Sequence, residues 1–479
     1  TDAAPESAAL AVKHGCDVNC GNTYLHMLTA YQEGLVTEED ITTACERMYT
    51  SRYLLGCFAD DCEYDKIPYT ANDTDENDAL ALEAAEKCMV LLRNDGVLPL
   101  DAGKIRTIAV VGPNADSVPA LEGNYNGRSS RYVTFLEGIR AYAEEHGIRV
   151  LFSEGCHLFK DRVQNLGQPN DRLAEAELVA ENADAVIACV GLDATLEGEE
   201  GDTGNAFASG DKISLNLPES QQKLLDALVK TGKPLVTVVA AGSALNVPQG
   251  NAEIMAWYPG QAGGTALAEI LFGEVNPSGR LPVTFYHDLS ELPEFTDYSM
   301  KNRTYRYFEG KPLYPFGYGL SYTTFALEVK DVALDGETVC IRVNVQNTGS
   351  RYAGRETVQV YLSQPQGKLD KPYQVLAGFA KTGSLAPGQC ETVTVTFPLH
   401  TLASYDEEQA VWLLEKGVYY LRVGSHSRST CIAAALELGE TVVTARLQNR
   451  LQPDCPLETL RADPARFCTY PEEAREKAA

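Results

Sequence analysis

The acidic segment GLDATLEGEEGDTG, residues 191–204, is a dense group of side chains that could do chemistry. Its carboxylates are Asp193, Glu197, Glu199, Glu200 and Asp202, and Asp211 follows shortly after. The segment comes directly after the uncharged apolar run AVIACV (185–190), which predicts a buried strand. In an open parallel sheet, ligands bind where strands end, so this position favours a functional loop.

Three kinds of chemistry compete for such a loop. A solvated acidic surface is the default for clustered charge. A calcium site needs several oxygens converging on one point, and D-x-x-x-E-x-E lacks the spacing of a known calcium loop. In general acid/base catalysis, neighbouring negative charges keep one carboxyl group neutral. A neutral carboxylic acid can protonate the departing oxygen of a glycosidic bond.

Other motifs in the sequence point to no cofactor or metal. The loop GPNAD (112–116) follows the apolar run TIAVV, but no G-x-G-x-x-G or Walker pattern accompanies it. Cys16 and Cys20 form an isolated C-x3-C pair, an unusual spacing for zinc. The sequence therefore predicts an enzyme or binding protein that works without a cofactor or a metal.

The elements that position the acidic loop alternate between strands and helices from residue 77 to about 290. Predicted strands cover 105–112, 148–152, 183–191, 234–242 and 252–258, and predicted helices cover 78–94, 134–147, 173–183, 218–232 and 263–273. Short apolar strands alternating with amphipathic helices predict an α/β fold with a mostly parallel sheet covered on both faces.

The flanking regions have different patterns. Residues 1–56 predict helices and one short strand at CDVNCG (16–21), the last strand–helix part of a larger domain, and 57–76 have linker composition. After a connecting segment (291–319), residues 320–436 show period-two alternation between turn signals, which predicts a β-sandwich of fibronectin type III proportions. Residues 437–479 are interpreted as a C-terminal tail.

Composition excludes some partners. A net charge of −27 argues against nucleic acid and anionic membranes, which need clustered Lys and Arg. No run of about 18 apolar residues predicts a membrane span. Thirteen cysteines, an odd number often embedded in apolar runs, favour free buried thiols and a cytoplasmic rather than secreted location.

Four longer motifs carry a family resemblance. They are VLLRNDGVLPL (90–100), AVVGPNAD (109–116), YPGQAGGTALAEILFGEVNPSGRLPVTFY (258–286) and YPFGYGLSYTTF (314–325). Together they resemble glycoside hydrolase family 3. The resemblance implies a (β/α)8-type barrel, of which residues 1–56 would be the last strand–helix part, followed by an α/β sandwich and a fibronectin type III-like domain. It also implies an enzyme that removes single sugars from β-linked glycosides with retention.

Within that family, GLDATLEGEEGDTGN followed by LNLPESQQKLL is similar to the β-xylosidase and arabinofuranosidase branch. The resemblance places the acid/base glutamate at Glu197, with Glu199 as the alternative. The family's nucleophile is an aspartate in an upstream Ser-Asp motif, which neither Asp2 nor Asp17 matches. The chain is therefore expected to lack its nucleophile and to be inactive alone, either as a fragment or as the partner of a separate barrel chain.

The expected function is the C-terminal part of a retaining β-xylosidase-like enzyme that acts on small oligosaccharides or aryl glycosides. β-Glucosidase or α-L-arabinofuranosidase activity is the alternative within the family, and a non-catalytic carbohydrate-binding or structural scaffold is the alternative of another class. Trp257 is interpreted as a core residue rather than a sugar platform. Tyr125 and Arg128 could face the active cleft or simply belong to a surface loop.

Overall fold

The computed structural model describes residues 3–123, 125–159, 170–197, 212, 214–450 and 455. The chain divides into two compact units, Thr1–Thr74 and Asp75–Ala479. Within the described residues, no helix combines the length and the apolar character that crossing a bilayer requires.

The first unit is helical. Its helices are α1 (Ala4–Lys13), α2 (Met27–Gln32) and α3 (Glu38–Leu54). The capping pattern at the start of α3 is formed by Thr37 and Asp40: the Thr37 Oγ1 accepts the Asp40 backbone N–H at 3.2 Å, and Asp40 Oδ2 accepts the Thr37 backbone N–H at 2.9 Å. A small apolar core joins the helices through Ala9, Val12, Ala30, Val36 and Ala44.

The strand predicted at residues 16–21 is wrong, because the described part of this unit contains helices and turns only. A strand needs a neighbour for its backbone N–H and C=O groups, and no second strand forms among residues 3–74 to supply one. The predicted linker 57–76 contains two short 3₁₀ turns, Glu63–Lys66 and Tyr69–Ala71.

The second unit begins with an α/β domain. Its helices are α4 (Asp75–Cys88), α5 (Phe135–Glu145), α6 (Asp171–Glu181), α7 (Glu219–Lys230) and α8 (Gly263–Phe272), and its strands are β1 (Val90–Asn94), β2 (Thr107–Val111), β3 (Arg149–Ser153), β4 (Ala185–Gly191), β5 (Leu235–Ala240) and β6 (Ala252–Met255). The sheet order is β1-β6-β5-β4-β2-β3, with β2 to β6 parallel. Helices α5 and α8 cover one face, and α6 and α7 cover the other. The predicted parallel sheet covered on both faces is thereby confirmed.

Strand β1 was not predicted. The helix expected over 78–94 ends at Cys88, and β1 then pairs antiparallel with β6, placing Val90 opposite Met255. The apolar run MVLL is buried on both sides of the strand. Such a short, uniformly apolar run has no periodicity that separates a buried strand from a buried helix turn.

The sheet topology selects one edge for ligands. After β2 the chain runs to β3 on one side of β2, and β4 then lies on the other side. In open α/β sheets, the crevice at such a change of direction, outside the carboxyl ends of the strands, is where ligands bind. The loop after β4, which holds the acidic segment, leaves the sheet at this place.

The second unit continues through a short helix, α9 (Thr304–Tyr307), into a β-sandwich. Its strands are β7 (Phe325–Asp335), β8 (Thr338–Asn347), β9 (Thr357–Ser363), β10 (Val375–Lys381), β11 (Cys390–Pro398), β12 (Ser404–Asp406), β13 (Val411–Leu414), β14 (Gly417–His426), β15 (Ser429–Leu438) and β16 (Val442–Arg446). Sheets β10-β9-β14-β15 and β11-β8-β7 enclose a common apolar core. The fibronectin-like sandwich is confirmed.

The described part of the region predicted as a tail, 437–479, contains a strand. Strand β16 lies in it and pairs antiparallel with β13, with Val442 opposite Leu414. Its sequence VVTAR is too short to distinguish a strand without its partner. The sandwich also contacts the α/β domain, where Arg280 and Glu356 form an ion pair at 2.7 Å with both side chains about nine-tenths buried.

The cysteines of the described residues are free thiols. Of these, only Cys156 and Cys189 are fully buried, whereas others, such as Cys16 and Cys88, are exposed. The expectation of buried thiols is therefore wrong for most positions, because an apolar neighbour in sequence does not fix which side of an element a cysteine faces.

Candidate active site

The acidic loop leaves β4 at Gly191, a position that only glycine can occupy. Its φ is +136°, and a Cβ atom there would lie 1.9 Å from the Ala240 carbonyl oxygen on the neighbouring strand. The buried Gln221 of α7 then fixes this backbone: its Oε1 accepts the Gly191 N–H at 2.7 Å, and its Nε2 donates to the Gly191 carbonyl at 2.7 Å. The loop therefore starts from a rigid point.

Asp193 forms the turn that follows. It is buried, and its Oδ1 accepts hydrogen bonds from the Thr195 backbone N–H at 2.8 Å and the Thr195 hydroxyl at 2.6 Å. Its carbonyl oxygen accepts the backbone N–H groups of Leu196 at 2.9 Å and Glu197 at 3.0 Å. This carboxylate serves the loop's own backbone, and the turn carries Glu197 back over the ends of the strands.

Glu197 lies against the loop that follows β5. The Gly242 backbone N–H donates to its Oε2 at 2.6 Å. The Ser243 hydroxyl donates to Oε1, and the hydroxyl of Tyr258, which follows β6, donates to Oε2. Strands β4, β5 and β6 are neighbours in the sheet, so their loops bring together groups that lie 45 to 61 residues apart in sequence.

Lys212 provides a positive charge near this carboxylate. Its Nζ donates to the Ala244 carbonyl oxygen at 2.7 Å, two residues beyond Gly242. Burial lowers the pKa of Lys212, and the negative charge of Glu197 opposes that change. Burial raises the pKa of Tyr258, and the charge of Glu197 and its hydrogen bond raise it further. The phenol therefore stays protonated and available as a donor at neutral pH.

The partners of Glu197 allow it to exist in two protonation states. A backbone N–H can only donate, so the Gly242 N–H needs an acceptor oxygen on Glu197 in either state. The hydroxyls of Ser243 and Tyr258 can donate to a carboxylate or accept from a carboxylic acid by rotating their hydrogen. A group that must give up a proton and later take one back needs such reversible partners.

The remaining predicted residues are placed as follows. Glu199, with Glu200, Asp202 and Asp211, lies outside the described residues, as does Asp2. Asp17 lies in the first unit, where it pairs with Arg47 at 3.3 Å. Trp257 is partly buried, packs edge-on against Phe285 and donates from Nε1 to the Cys88 carbonyl at 3.2 Å, which fits the core interpretation.

Tyr125 and Arg128 are both exposed, Tyr125 by 85%. The loop 112–116 instead supplies a structural contact, since the buried Asn114 donates from Nδ2 to the Leu192 carbonyl at 2.9 Å. It thereby helps to hold the beginning of the acidic loop.

Sequence reasoning did not find Gly242, Ser243, Tyr258, Lys212 or Gln221. The available signal was position: Gly242 ends one predicted strand, Ser243 follows it directly, and Tyr258 ends another. Because carboxyl ends of parallel strands share one edge, polar groups at neighbouring strand ends are expected to meet.

Comparison with known proteins identifies the domains. The glycosyl hydrolase family 3 C-terminal domain matches residues 89–322, and the fibronectin type III-like domain matches residues 356–427. The chain belongs to glycoside hydrolase family 3. The resemblance drawn from the four sequence motifs is therefore confirmed.

Relatives of this family 3 chain include both xylosidases and glucosidases. It is 29% identical to xylan 1,4-beta-xylosidase of Xylanibacter ruminicola over 87% of this chain and 65% of the relative. It is 32% identical to the periplasmic beta-glucosidase of Salmonella typhimurium over 89% of this chain and 60% of the relative. The chain thus spans less than two thirds of the length of either relative.

Among solved structures, the family 3 exo-beta-xylosidase XlnD, in complex with a xylobiose aziridine probe, superposes with a TM-score of 0.71 at 29% identity. The match covers 92% of this chain and 59% of XlnD. The α/β domain and the sandwich that follows it are thus the fold expected from the sequence.

Proposed function

We propose that this chain is the C-terminal part of a retaining, exo-acting β-glycosidase, with β-xylosidase-like specificity, in which Glu197 is the general acid/base. The observation that carries the proposal is the placement of the Glu197 carboxylate at the ligand-binding edge of the sheet, between Gly242, Ser243 and Tyr258. Relatives named as xylosidases support the choice of sugar.

In this mechanism Glu197 works in two steps. First, as a carboxylic acid, it protonates the oxygen of the departing sugar or aryl group while the nucleophile attacks the anomeric carbon. Then, as a carboxylate, it takes a proton from the water that hydrolyses the glycosyl-enzyme intermediate. The hydroxyls of Ser243 and Tyr258 can accept from the carboxylic acid or donate to the carboxylate. The Gly242 N–H stabilises the carboxylate that forms when Glu197 has given up its proton.

Retaining hydrolysis needs a second carboxyl group about 5 Å from the first. We propose that this nucleophile belongs to polypeptide outside the present sequence, on a (β/α)8-type barrel. The chain alone is then expected to release no xylose from p-nitrophenyl β-xyloside, and the same chain joined to the barrel is expected to release it. Hydrolysis by the chain alone would contradict the proposal.

The acid/base role is tested by Glu197→Gln in the complete enzyme. Because good leaving groups need little proton assistance, the substitution should reduce hydrolysis of poor leaving groups by about 10²–10⁴-fold and of activated aryl glycosides much less. Glu199→Gln is the matched control, since it removes a carboxylate from the same loop. Equal losses on both substrate classes for Glu197→Gln, or the leaving-group dependence appearing in Glu199→Gln instead, would assign the proton to another residue.

β-Glucosidase activity is the second candidate, because the Salmonella typhimurium relative is a beta-glucosidase. A panel of aryl β-xylosides, β-glucosides and α-L-arabinofuranosides separates these specificities by kcat/KM. A non-catalytic scaffold would instead bind xylose or glucose tightly without the barrel, which calorimetry on this chain measures directly.

A further inference from the structure

Tyr258 reaches the site from an unusual backbone. The residue before it, Trp257, has a φ of +60°, in the left-handed region that bulky side chains rarely adopt. Surrounding contacts maintain this conformation, because the indole Nε1 donates to the Cys88 carbonyl at 3.2 Å and the ring packs edge-on against Phe285 at 6.3 Å. Strain of this kind persists where neighbouring structure over-determines it and often marks a functional position.

The space around the Tyr258 ring is closely filled. A Cβ atom added to Gly242 would lie 3.2 Å from Cε2 of Tyr258 and 3.4 Å from Oε2 of Glu197. The absence of a side chain at Gly242 therefore lets its N–H and the Tyr258 hydroxyl reach the same carboxylate oxygen. On the other oxygen, Ser243 supplies the third donor. The carboxylate is thus fixed in position and rotation by groups from two loops.

We propose that Tyr258 is a positioning residue for proton transfer: its hydroxyl, aimed by the left-handed backbone of Trp257, holds Oε2 of Glu197 so that the carboxyl group presents one orientation to the departing oxygen. This inference rests on the proposed acid/base role of Glu197. Proton transfer requires a well-defined donor–acceptor geometry, and fixing a side chain in advance removes the cost of ordering it at the moment of reaction.

A buried tyrosine with a purely structural hydroxyl would also pack tightly, so the two roles need a measurement that separates them. The first one uses this chain alone and does not depend on activity. If the hydroxyl donates to Glu197, the stability effects of Tyr258→Phe and Glu197→Gln should be coupled, because each substitution changes the same hydrogen bond. Urea unfolding of the unaltered chain and of the two single variants gives the first three corners of a double-mutant cycle.

The double variant Tyr258→Phe, Glu197→Gln closes that cycle. Its loss of unfolding free energy should differ from the sum of the two single losses, because both substitutions act on one hydrogen bond. Additive losses would overturn the contact and with it the inference.

The second measurement uses the complete enzyme and a double-mutant cycle. Tyr258→Phe keeps the ring and removes a hydrogen bond to a charged group, so it should lower kcat for poor leaving groups by about 10- to 100-fold, with a smaller loss for activated ones. In the Glu197→Gln background the same substitution should cause no further leaving-group-dependent loss, because its target is gone. Tyr322→Phe is the control, since Tyr322 is another enclosed tyrosine and its hydroxyl donates to the Ile270 carbonyl at 2.7 Å, away from Glu197.

The outcomes distinguish this inference from the function on which it rests. One outcome is that Glu197→Gln shows leaving-group dependence while Tyr258→Phe lowers kcat by the same factor in the Glu197→Gln background as in the unaltered enzyme. In that case Tyr258 has a structural role and only the inference fails. If Glu197→Gln shows no such dependence, the proposed acid/base role fails. The positioning role then fails with it, even where the unfolding cycle confirms the contact.

Discussion

Two glutamates of the α/β domain each accept a tyrosine hydroxyl, in opposite surroundings. Glu197, at the carboxyl edge of the sheet, is partly exposed and has three donors, one of them a backbone N–H. Glu253, near the start of β6, is only 1% exposed. Its Oε2 accepts from the Tyr314 hydroxyl at 2.9 Å and lies 3.8 Å from Nη2 of Arg93.

The ionisation of Glu253 is governed by its burial. Burial raises the pKa of Glu253 to about 7, and neither the Arg93 charge nor the Tyr314 hydrogen bond cancels it. A buried carboxyl group with few donors is therefore easily neutralised, but it has no access to a ligand. At Glu197 the donors come from loops at the ligand-binding edge. A useful proton donor thus depends on where the carboxyl group lies as much as on its ionisation.

The largest effect is expected from Arg93→Met, which leaves the Glu253 carboxylate without its cation. Above about pH 7, losing both this ion pair and the hydrogen bonds from Arg93 Nη2 to the Val247 and Gln249 carbonyls should reduce the free energy of unfolding by about 3–5 kcal/mol. Below about pH 5 the carboxyl group is neutral and the loss should be smaller. Urea unfolding followed by Trp257 fluorescence in a Trp412→Phe background measures it, because the sequence has only these two tryptophans. Equal losses at both pH values would remove the electrostatic explanation.

The next effect concerns the pH dependence of stability. The pKa of Glu253 is about 7 when folded and near 4.5 when unfolded, so the folded state binds more protons between these values. The contribution of Glu253 to stability should therefore be greatest below about pH 4.5 and fall by about 3 kcal/mol as pH rises through this window. Glu253→Gln should remove that part of the slope in the same urea assay.

Glu269 serves as the control for this slope, because burial and Glu86 raise its pKa to about 7 as well. Glu269→Gln should also reduce the slope of unfolding free energy against pH, and its effect should add to that of Glu253→Gln. A slope in Glu253→Gln that matches the unaltered chain would mean that Glu253 does not titrate in this range.

The smallest effects are expected from removing the hydroxyl groups of Tyr314 and Tyr258. At neutral to alkaline pH, Tyr314→Phe removes a hydrogen bond to a buried charged group and should cost about 1.5–3 kcal/mol of unfolding free energy. Tyr258→Phe should cost less, about 1 kcal/mol or below, because Glu197 keeps two other donors and access to water. A greater stability loss from Tyr258→Phe would reverse the contrast and make Tyr258 mainly a stabilising residue.

Much of the α/β domain was predictable because its signals are local. Strands β2 to β6 are apolar runs of four to seven residues, and the helices between them have one apolar face. The acidic segment was predictable as the loop after a buried strand. Strand β1 was not, because VLLRN has no periodicity that shows its antiparallel partner β6.

The site was only half predictable for the same reason. Glu197 could be named, with Glu199 as the alternative, only because its loop resembles the family's, and Tyr258 lies 61 residues away and meets it through a contact between strand ends. The burial of Glu253 was equally hidden, since a charged residue in AEIMAWY gives no indication that Arg93 and Tyr314 enclose it.

The amino-acid sequence by itself determined the order of strands β2 to β6 and of the helices between them, the family resemblance and the loop that carries the acidic residues. Periodicity and motifs are properties of neighbouring residues. Only the tertiary structure decided which donors surround Glu197 and which carboxyl group is taken out of water. Those outcomes depend on the sheet order, which brings distant strand ends into contact, and on burial, which no short stretch of sequence contains.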